Sequence, residues 1–180
     1  MSIPVLETAR LRLRVPEERD FEGFKALMSD EIASRHIGGV QNEFATWRAL
    51  ASVIGHWQMR GYGFFTVEER ETGQWVGRIG PWYPHGWSQP EIGWSILREH
   101  WGKGYAPEAA AACMDFAFDR LGWEEVIHLI AAENVNSQGV AKKLGSYDTG
   151  RDEVVAGFGM MTDVWGQSKA EWTENRKRFA

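Results

Sequence analysis

The stretch that most constrains this chain is Trp101-Gly102-Lys103-Gly104-Tyr105-Ala106-Pro107-Glu108-Ala109-Ala110. It lies between a strand-like run over 91–97 and an alanine-rich helical run over 106–121. A strand that turns into a helix through two glycines presents helix N–H groups that have no intrahelical partner. The macrodipole adds partial positive charge there, and glycine lets a ligand approach the backbone closely. Pro107 suits the first helical turn, where its missing N–H costs little. Two readings follow. One is a cradle for a phosphate or pyrophosphate. The other is a glycine-rich connection with no ligand, because G-x-G by itself is a weak signal.

The 180 residues predict one domain, 1–180, long enough for a substantial core. A net charge of −5 argues against general nucleic-acid binding, though not against a local basic site. With one cysteine no intramolecular disulfide can form, which is compatible with a reducing cytoplasm. No apolar run is long enough to span a membrane. The first residues, MSIPVLETARLRLR, lack the apolar centre of a signal peptide. The expectation is therefore a cytoplasmic protein without membrane attachment. No metal is expected either: H-E-x-x-H spacing is absent, and a single cysteine cannot build a zinc cluster. Ten tryptophans are many for this length, enough to serve both a core and a ligand cleft.

Residues 10–15, RLRLRV, alternate strictly and predict a half-buried strand. Phe21, Phe24, Leu27 and Met28 recur at helical spacing over 17–29, followed by a loop over 30–41. A second helix runs over 43–60, with Phe44, Trp47, Leu50, Ala51, Ile54 and Trp57 as its apolar stripe and Gly61 as its stop. Runs 63–69 and 74–82 read as an antiparallel hairpin. The loop PWYPHGWSQP then carries Trp82, Tyr83, His85 and Trp87, either as substrate contacts or as an apolar plug that holds the loop down. Gly93, within the strand before the opening motif, hints at a close backbone approach. Strand 125–131 after helix 106–121 implies a parallel pair with a right-handed crossover. A short helix over 136–144, strands over 147–155 and 158–164, and a C-terminal helix over 165–179 complete the chain.

This order, together with three segments, resembles the GNAT N-acetyltransferase superfamily, and most closely its RimJ/RimL-type branch. LETARLRLR resembles the branch's first strand. EIGWSILREHWGKGYAPEAA resembles the acetyl-CoA motif and its preceding strand, and AAENVNSQGVAKKLG resembles the following strand end. Two positions depart from the pattern: Trp101 stands where Gln or Arg is usual, and Ser146 stands where Phe usually follows Lys-Leu-Gly. The resemblance implies an α/β (α+β) fold: a mixed central sheet of about seven strands flanked by helices, with an acetyl-CoA cleft between the central parallel strands. It implies that the backbone of Trp94, Ser95 and Ile96 pairs with the pantetheine amides. Trp101, Gly102, Lys103, Gly104, Tyr105 and Ala106 would wrap the pyrophosphate, with Lys103 adding charge or simply solvated. Asn134 would reach the pantetheine arm and Ser137 the sulfur. Read from residues alone, Asn-x-x-Ser is equally a helix-entry signature.

In that superfamily an amine attacks the thioester directly, so no covalent enzyme nucleophile is required. The remaining tasks are to take a proton from the ammonium, to donate to the developing oxyanion and to assist the departing thiolate. The oxyanion donor would be a backbone N–H in the 94–96 stretch, and Ser137 would hydrogen-bond on the sulfur side. Glu91 is the first candidate base, because a partly desolvated carboxylate has a raised pKa. A strand-edge salt bridge is its alternative role. His85 is the second candidate base, and His128, in mid-strand, reads as a core histidine. The function implied is acetyl-CoA-dependent N-acetylation of a primary amine, on a small molecule or a protein N-terminus. The acidic net charge would suit a cationic acceptor. A non-catalytic acyl-CoA-binding or regulatory protein on the same fold is the alternative, and a homodimer is compatible with the sequence.

Overall fold

The computed structural model describes residues 4–157 and 159–179. Its centre is a mixed eight-stranded sheet. The strands are β1 (Leu6–Glu7), β2 (Leu11–Arg14), β3 (Phe65–Glu69), β4 (Trp75–Trp82), β5 (Glu91–Ile96), β6 (Glu125–Ile130), β7 (Tyr147–Val154) and β8 (Met161–Ser168), in the order β1-β2-β3-β4-β5-β6-β8-β7. Every neighbouring pair is antiparallel except β5 and β6. Those two strands meet at a single register pair, Glu91 with Ile127, and then part. The crossover between them carries helix α4 (Tyr105–Asp115), continued by a π-helical turn over Phe116–Arg120. Ala109, Ala110, Cys113, Met114 and Ala117 are fully buried and share one core with Leu13, Val67, Ile79 and Ile92 of the sheet. Small side chains let the helix backbone settle close to the strands. Burial also pushes the Cys113 thiol well above its ordinary range, which makes it an inert core residue.

Several elements depart from what the patterns predict. The sheet has eight strands because the two-residue β1 folds back on β2. Inside the 30–41 loop sits a one-turn helix, α2 (Glu31–Ser34), too short to show periodicity and capped by Asp30, which accepts from the Ile32 and Ala33 amides. Helices α1 (Phe21–Ser29) and α3 (Glu43–Arg60) follow their patterns. Asn42 caps α3 by accepting from Ala45 N–H, and Gly61 closes it at φ 75°. The inward face of α3 is Thr46, Leu50, Val53 and Trp57, whereas Phe44 and Trp47 remain 71% and 51% exposed. Residues 165–168 are strand rather than helix. They complete β8 opposite 125–128 of β6, and a capping box between Ser168 and Glu171 starts α6 (Lys169–Asn175) only afterwards. Trp172 of α6 is buried and its indole donates to Asp115 at 2.8 Å, which docks the C-terminal helix on the end of α4. Phe158, where the last strand is expected to begin, lies outside the described residues.

A buried ion cluster ties β2 to β3 and the first helical turn. The Arg14 guanidinium meets Asp20 at 2.6 and 3.0 Å and Glu68 at 2.6 and 2.9 Å, and Thr66 donates to Asp20 at 2.9 Å. Two carboxylates compensate one enclosed cation, the condition under which a buried charge is tolerable.

Candidate active site

The opening motif folds into a loop with two glycines in the left-handed region, Gly102 at φ 75° and Gly104 at φ 80°. Gly104 is the N-cap of α4 and offers no side chain to the helix's first N–H groups, which are left for a ligand. The loop is braced from behind. Arg10 donates to the Lys103 carbonyl at 2.9 Å and pairs with Glu108 at 2.6 Å, and Thr8 donates to Glu108 at 2.6 Å. Tyr105 hydrogen-bonds Glu69. Lys103 turns its ammonium to His100 Nδ1 at 3.1 Å and does not line the cavity. The Trp101 indole donates to the Ile96 carbonyl at 2.8 Å, so the residue that replaces Gln or Arg ties the loop to β5.

Where β5 and β6 part, the β5 edge is open. Hydrogen bonding in an antiparallel ladder alternates from one residue to the next. Leu97 N–H donates to the Val76 carbonyl, which assigns the main-chain groups of Ser95 to β4. Trp94 and Ile96 then face the gap, and the Ile96 carbonyl is already taken by Trp101. Trp94 therefore supplies the main-chain N–H and C=O that face the cleft, while Ser95 contributes through its side chain.

The cleft holds two adjoining cavities, of about 370 and 340 Å³. The first is lined by the 101–107 loop, the start of helix α5 (Val135–Leu144), and Ile32 and Ala33 of α2. The second lies over the sheet and is lined by Arg78, Trp82, Trp87, Glu91 and Met160, among others. They share His36, Ile37, Trp94, Ser95, Asn134 and Ser137. At that waist the Trp94 indole donates to Ser137 Oγ at 3.2 Å. A hydroxyl oxygen that accepts from an indole still has its own proton to give. Asn134 caps α5, its Oδ1 accepting from Ser137 N–H at 3.2 Å, while its side chain borders both cavities.

Glu91 is buried in the wall of the second cavity. Trp87 Nε1 donates to one of its oxygens at 2.8 Å and Leu129 N–H to the other at 3.2 Å. Burial outweighs these two bonds and raises its pKa to about 7. A carboxylate poised near neutrality can take a proton at physiological pH. The adjoining wall is an aromatic stack in which Trp82 lies between His56 at 4.4 Å and Phe64 at 4.8 Å. Gly93 has the close approach its sequence position suggested, since a Cβ there would lie 3.1 Å from the Phe64 ring. Of the four aromatic loop residues, Trp82 and Trp87 reach the cavity. Tyr83 lies against Arg60, and His85 is exposed and lines neither cavity.

His128 is a strut. Its Nδ1 donates to the Ile92 carbonyl at 2.7 Å and its Nε2 accepts from Ser146 at 2.9 Å, while Gln167 donates to that hydroxyl at 2.8 Å. Burial lowers its pKa to about 4, so it stays neutral. Ser146, one of the two departures from the family pattern, is what completes this chain across β5, β6 and β8. Sequence reasoning missed Arg78, His36 and Phe64. His36 lies within the loop expected over 30–41, where nothing in the spacing singles it out. Arg78 sits within β4 and Phe64 just before β3, where alternation alone marks no function. Among the described residues no cluster of His, Cys, Asp and Glu could hold a metal, and no helix is long and apolar enough to cross a membrane.

Residues 10–146 match the family described as the acetyltransferase (GNAT) domain. YkkB of Bacillus subtilis, a protein described as uncharacterized, is 33% identical over 150 residues, covering 79% of this chain and 84% of that one. The uncharacterized N-acetyltransferase YoaA of the same organism is 29% identical, covering 79% and 82%. Among solved structures, an acetyltransferase from Agrobacterium tumefaciens superposes with a TM-score of 0.81 at 29% identity, covering 94% of this chain and 96% of that one.

Proposed function

Because this chain belongs to the GNAT acetyltransferase family, we propose that it is an acetyl-CoA-dependent N-acetyltransferase acting on a primary amine by direct transfer. We place it in the RimJ/RimL-type branch on the strength of its first strand and its 91–145 segment, and read residues 1–180 as one cytoplasmic domain. The single observation that carries the function is the waist between the cavities. There Ser137 keeps a free proton beside the Trp94 indole, and the second cavity, which Trp94 also lines, is walled by Glu91 with a pKa near 7.

The residues suit acetyl-CoA. Space is open at Gly102, where a Cβ would meet nothing within 4 Å. The α4 N-terminus suits a pyrophosphate, and the Trp94 main chain suits an extended amide arm. When bound, the donor supplies an acetyl group activated as a thioester. Glu91 takes the proton that the acceptor ammonium must lose. Trp94 N–H would be the donor to the oxygen on which charge develops. Ser137, oriented by the Trp94 indole, would donate to the departing sulfur. Asn134 holds the start of α5, and with it Ser137, in place.

The test is a thiol-release assay over peptide N-termini, amino acids, polyamines and aminoglycosides. Amine-dependent release of CoA is expected for at least one class. Thermal stabilisation by acetyl-CoA with no release for any of them overturns transfer and favours a non-catalytic acyl-CoA-binding protein.

A further inference from the structure

The second cavity contains a charge that the protein itself does not answer. Arg78, in the middle of β4, lines it. Its guanidinium lies 4.8 Å from the centroid of Phe64 and 5.7 Å from that of Phe24. Its Nε is enclosed and finds no hydrogen-bond partner, and no carboxylate of the described residues comes within ion-pair distance. Arg14 shows how this fold treats a guanidinium with a structural task, giving it two carboxylates and four short bonds. Arg78 is held by ring faces that fix its direction and leave its donors unused. An enclosed donor without a partner is costly, and a guanidinium is a rigid fork shaped for carboxylate or phosphate oxygens.

Its position relative to Glu91 narrows the ligand. In the β4–β5 register Arg78 opposes Ser95 and Trp82 opposes Glu91. Two-residue alternation puts all four side chains on one face. Gly80 and Gly93 oppose each other between the two pairs, and the space directly over them is taken by Gly63 and Phe64, so that the second cavity runs along the Phe64 ring. Arg78 and Glu91 thus stand at two ends of one trough, separated by four residues or roughly 13 Å of strand before side-chain reach is subtracted. They sense each other's charge without touching. Resting on the acetyltransferase reading above, we propose that the acceptor is a small zwitterionic amine whose own carboxylate or phosphate is received by Arg78 while its ammonium faces Glu91. A polyamine would bring a second cation toward an uncompensated guanidinium, so the acidic net charge of the chain is a poor guide to this trough.

Matched acceptors test this with purified full-length protein: 4-aminobutyrate and 6-aminohexanoate against their amides, O-phosphoethanolamine against ethanolamine, and spermidine. Arg78→Met keeps an apolar stem between the rings and removes the charge, while Arg78→Lys keeps the charge and loses the fork. Unchanged thermal stabilisation by acetyl-CoA shows that each variant is folded. At least one anionic acceptor should exceed its neutral partner in kcat/KM by roughly tenfold or more, the scale of a charged hydrogen bond. Arg78→Met should bring that ratio close to one, and Arg78→Lys should restore part of it. The carboxylate and phosphate arms tell which anion is read. Calorimetry of the same pairs gives a readout independent of turnover, with the anionic member binding wild type and losing that advantage in Arg78→Met. Equal kcat/KM or binding within every pair, or a preference that survives Arg78→Met, overturns the proposal while leaving transfer intact. Anion binding that depends on Arg78 without any CoA release overturns transfer, and with it the acceptor role, and leaves Arg78 as an anion receptor alone.

Discussion

The two cavities that meet at Trp94 are built from different materials. The first is made largely of main chain: the glycine loop, the bare start of α4 and the open edge of β5. The second is made of side chains drawn from distant parts of the chain: Phe64 just before β3, Arg78 and Trp82 from β4, Glu91 from β5, Met160 before β8. A main-chain site needs a particular backbone path, which glycine and strand–helix order encode locally. A side-chain site needs particular neighbours, and those are set only when the sheet closes. The difference predicts separable failures, with lesions in the first cavity removing donor binding and lesions in the second leaving it intact.

The sharpest way to break the comparison is Gly104→Asp. It forces a side chain onto a φ of 80° at the N-cap of α4, with its Cβ 3.4 Å from the Arg10 guanidinium that braces the loop, and so disturbs the backbone path of the proposed phosphate cradle and adds a negative charge next to it. Acetyl-CoA binding by calorimetry should be lost, by about 100-fold or more; unchanged affinity would reassign the loop. Next comes Glu91→Gln, which should lower kcat by roughly 100-fold or more with less than a threefold change in acetyl-CoA affinity. Wild-type kcat/KM should rise through pH about 7 as Glu91 ionises, and the variant should lose that limb. An identical pH profile would exclude Glu91 as the base.

The same substitution has a stability consequence. The folded pKa of Glu91 is raised above the ordinary carboxylate value, so the folded state binds the proton more tightly than the unfolded chain. Stability falls as pH rises from the unfolded value toward 7, and the loss is complete above it, at most about 3 kcal/mol. Glu91→Gln should therefore raise the melting temperature relative to wild type at pH 8 by more than it does at pH 5. Ser137→Ala should reduce kcat about tenfold with acetyl-CoA affinity nearly unchanged. The smallest effect is expected for Trp101→Phe, which leaves the Ile96 carbonyl without its indole donor. About 1 kcal/mol, or roughly fivefold in acetyl-CoA affinity, should be lost.

What was legible in the chain follows the same division. The strand–loop–helix over 91–121 and the stop at Gly61 are local codes, and both appear where their residues stand. The end of β8 was encoded locally too, in the Ser168–Glu171 capping box, but the tryptophans and charges after Val164 suggested a helix instead. The stripe expected on α3 holds at Leu50 and Trp57 and fails at Phe44 and Trp47, which are apolar yet exposed in the first turns of the helix. Arg78 had no signature. In WVGRIGPW it is one polar residue in an apolar strand, and what distinguishes it is the absence of a partner, a property of the folded surroundings.

The single register pair between β5 and β6 has a further consequence. An open strand edge normally occurs at the rim of a sheet, where charge or prolines blunt it. Here one lies five strands in, next to Trp94, and the fold cannot cover it without closing the cleft. Without donor the molecule carries a vacant strand position in its middle. The Trp94 amide, though central in the sheet, should exchange its hydrogen with solvent like that of a surface strand and slow once acetyl-CoA fills the vacancy. On the proposed reading the co-substrate would be the missing strand of the sheet, and occupancy of the site would be a step in finishing the fold.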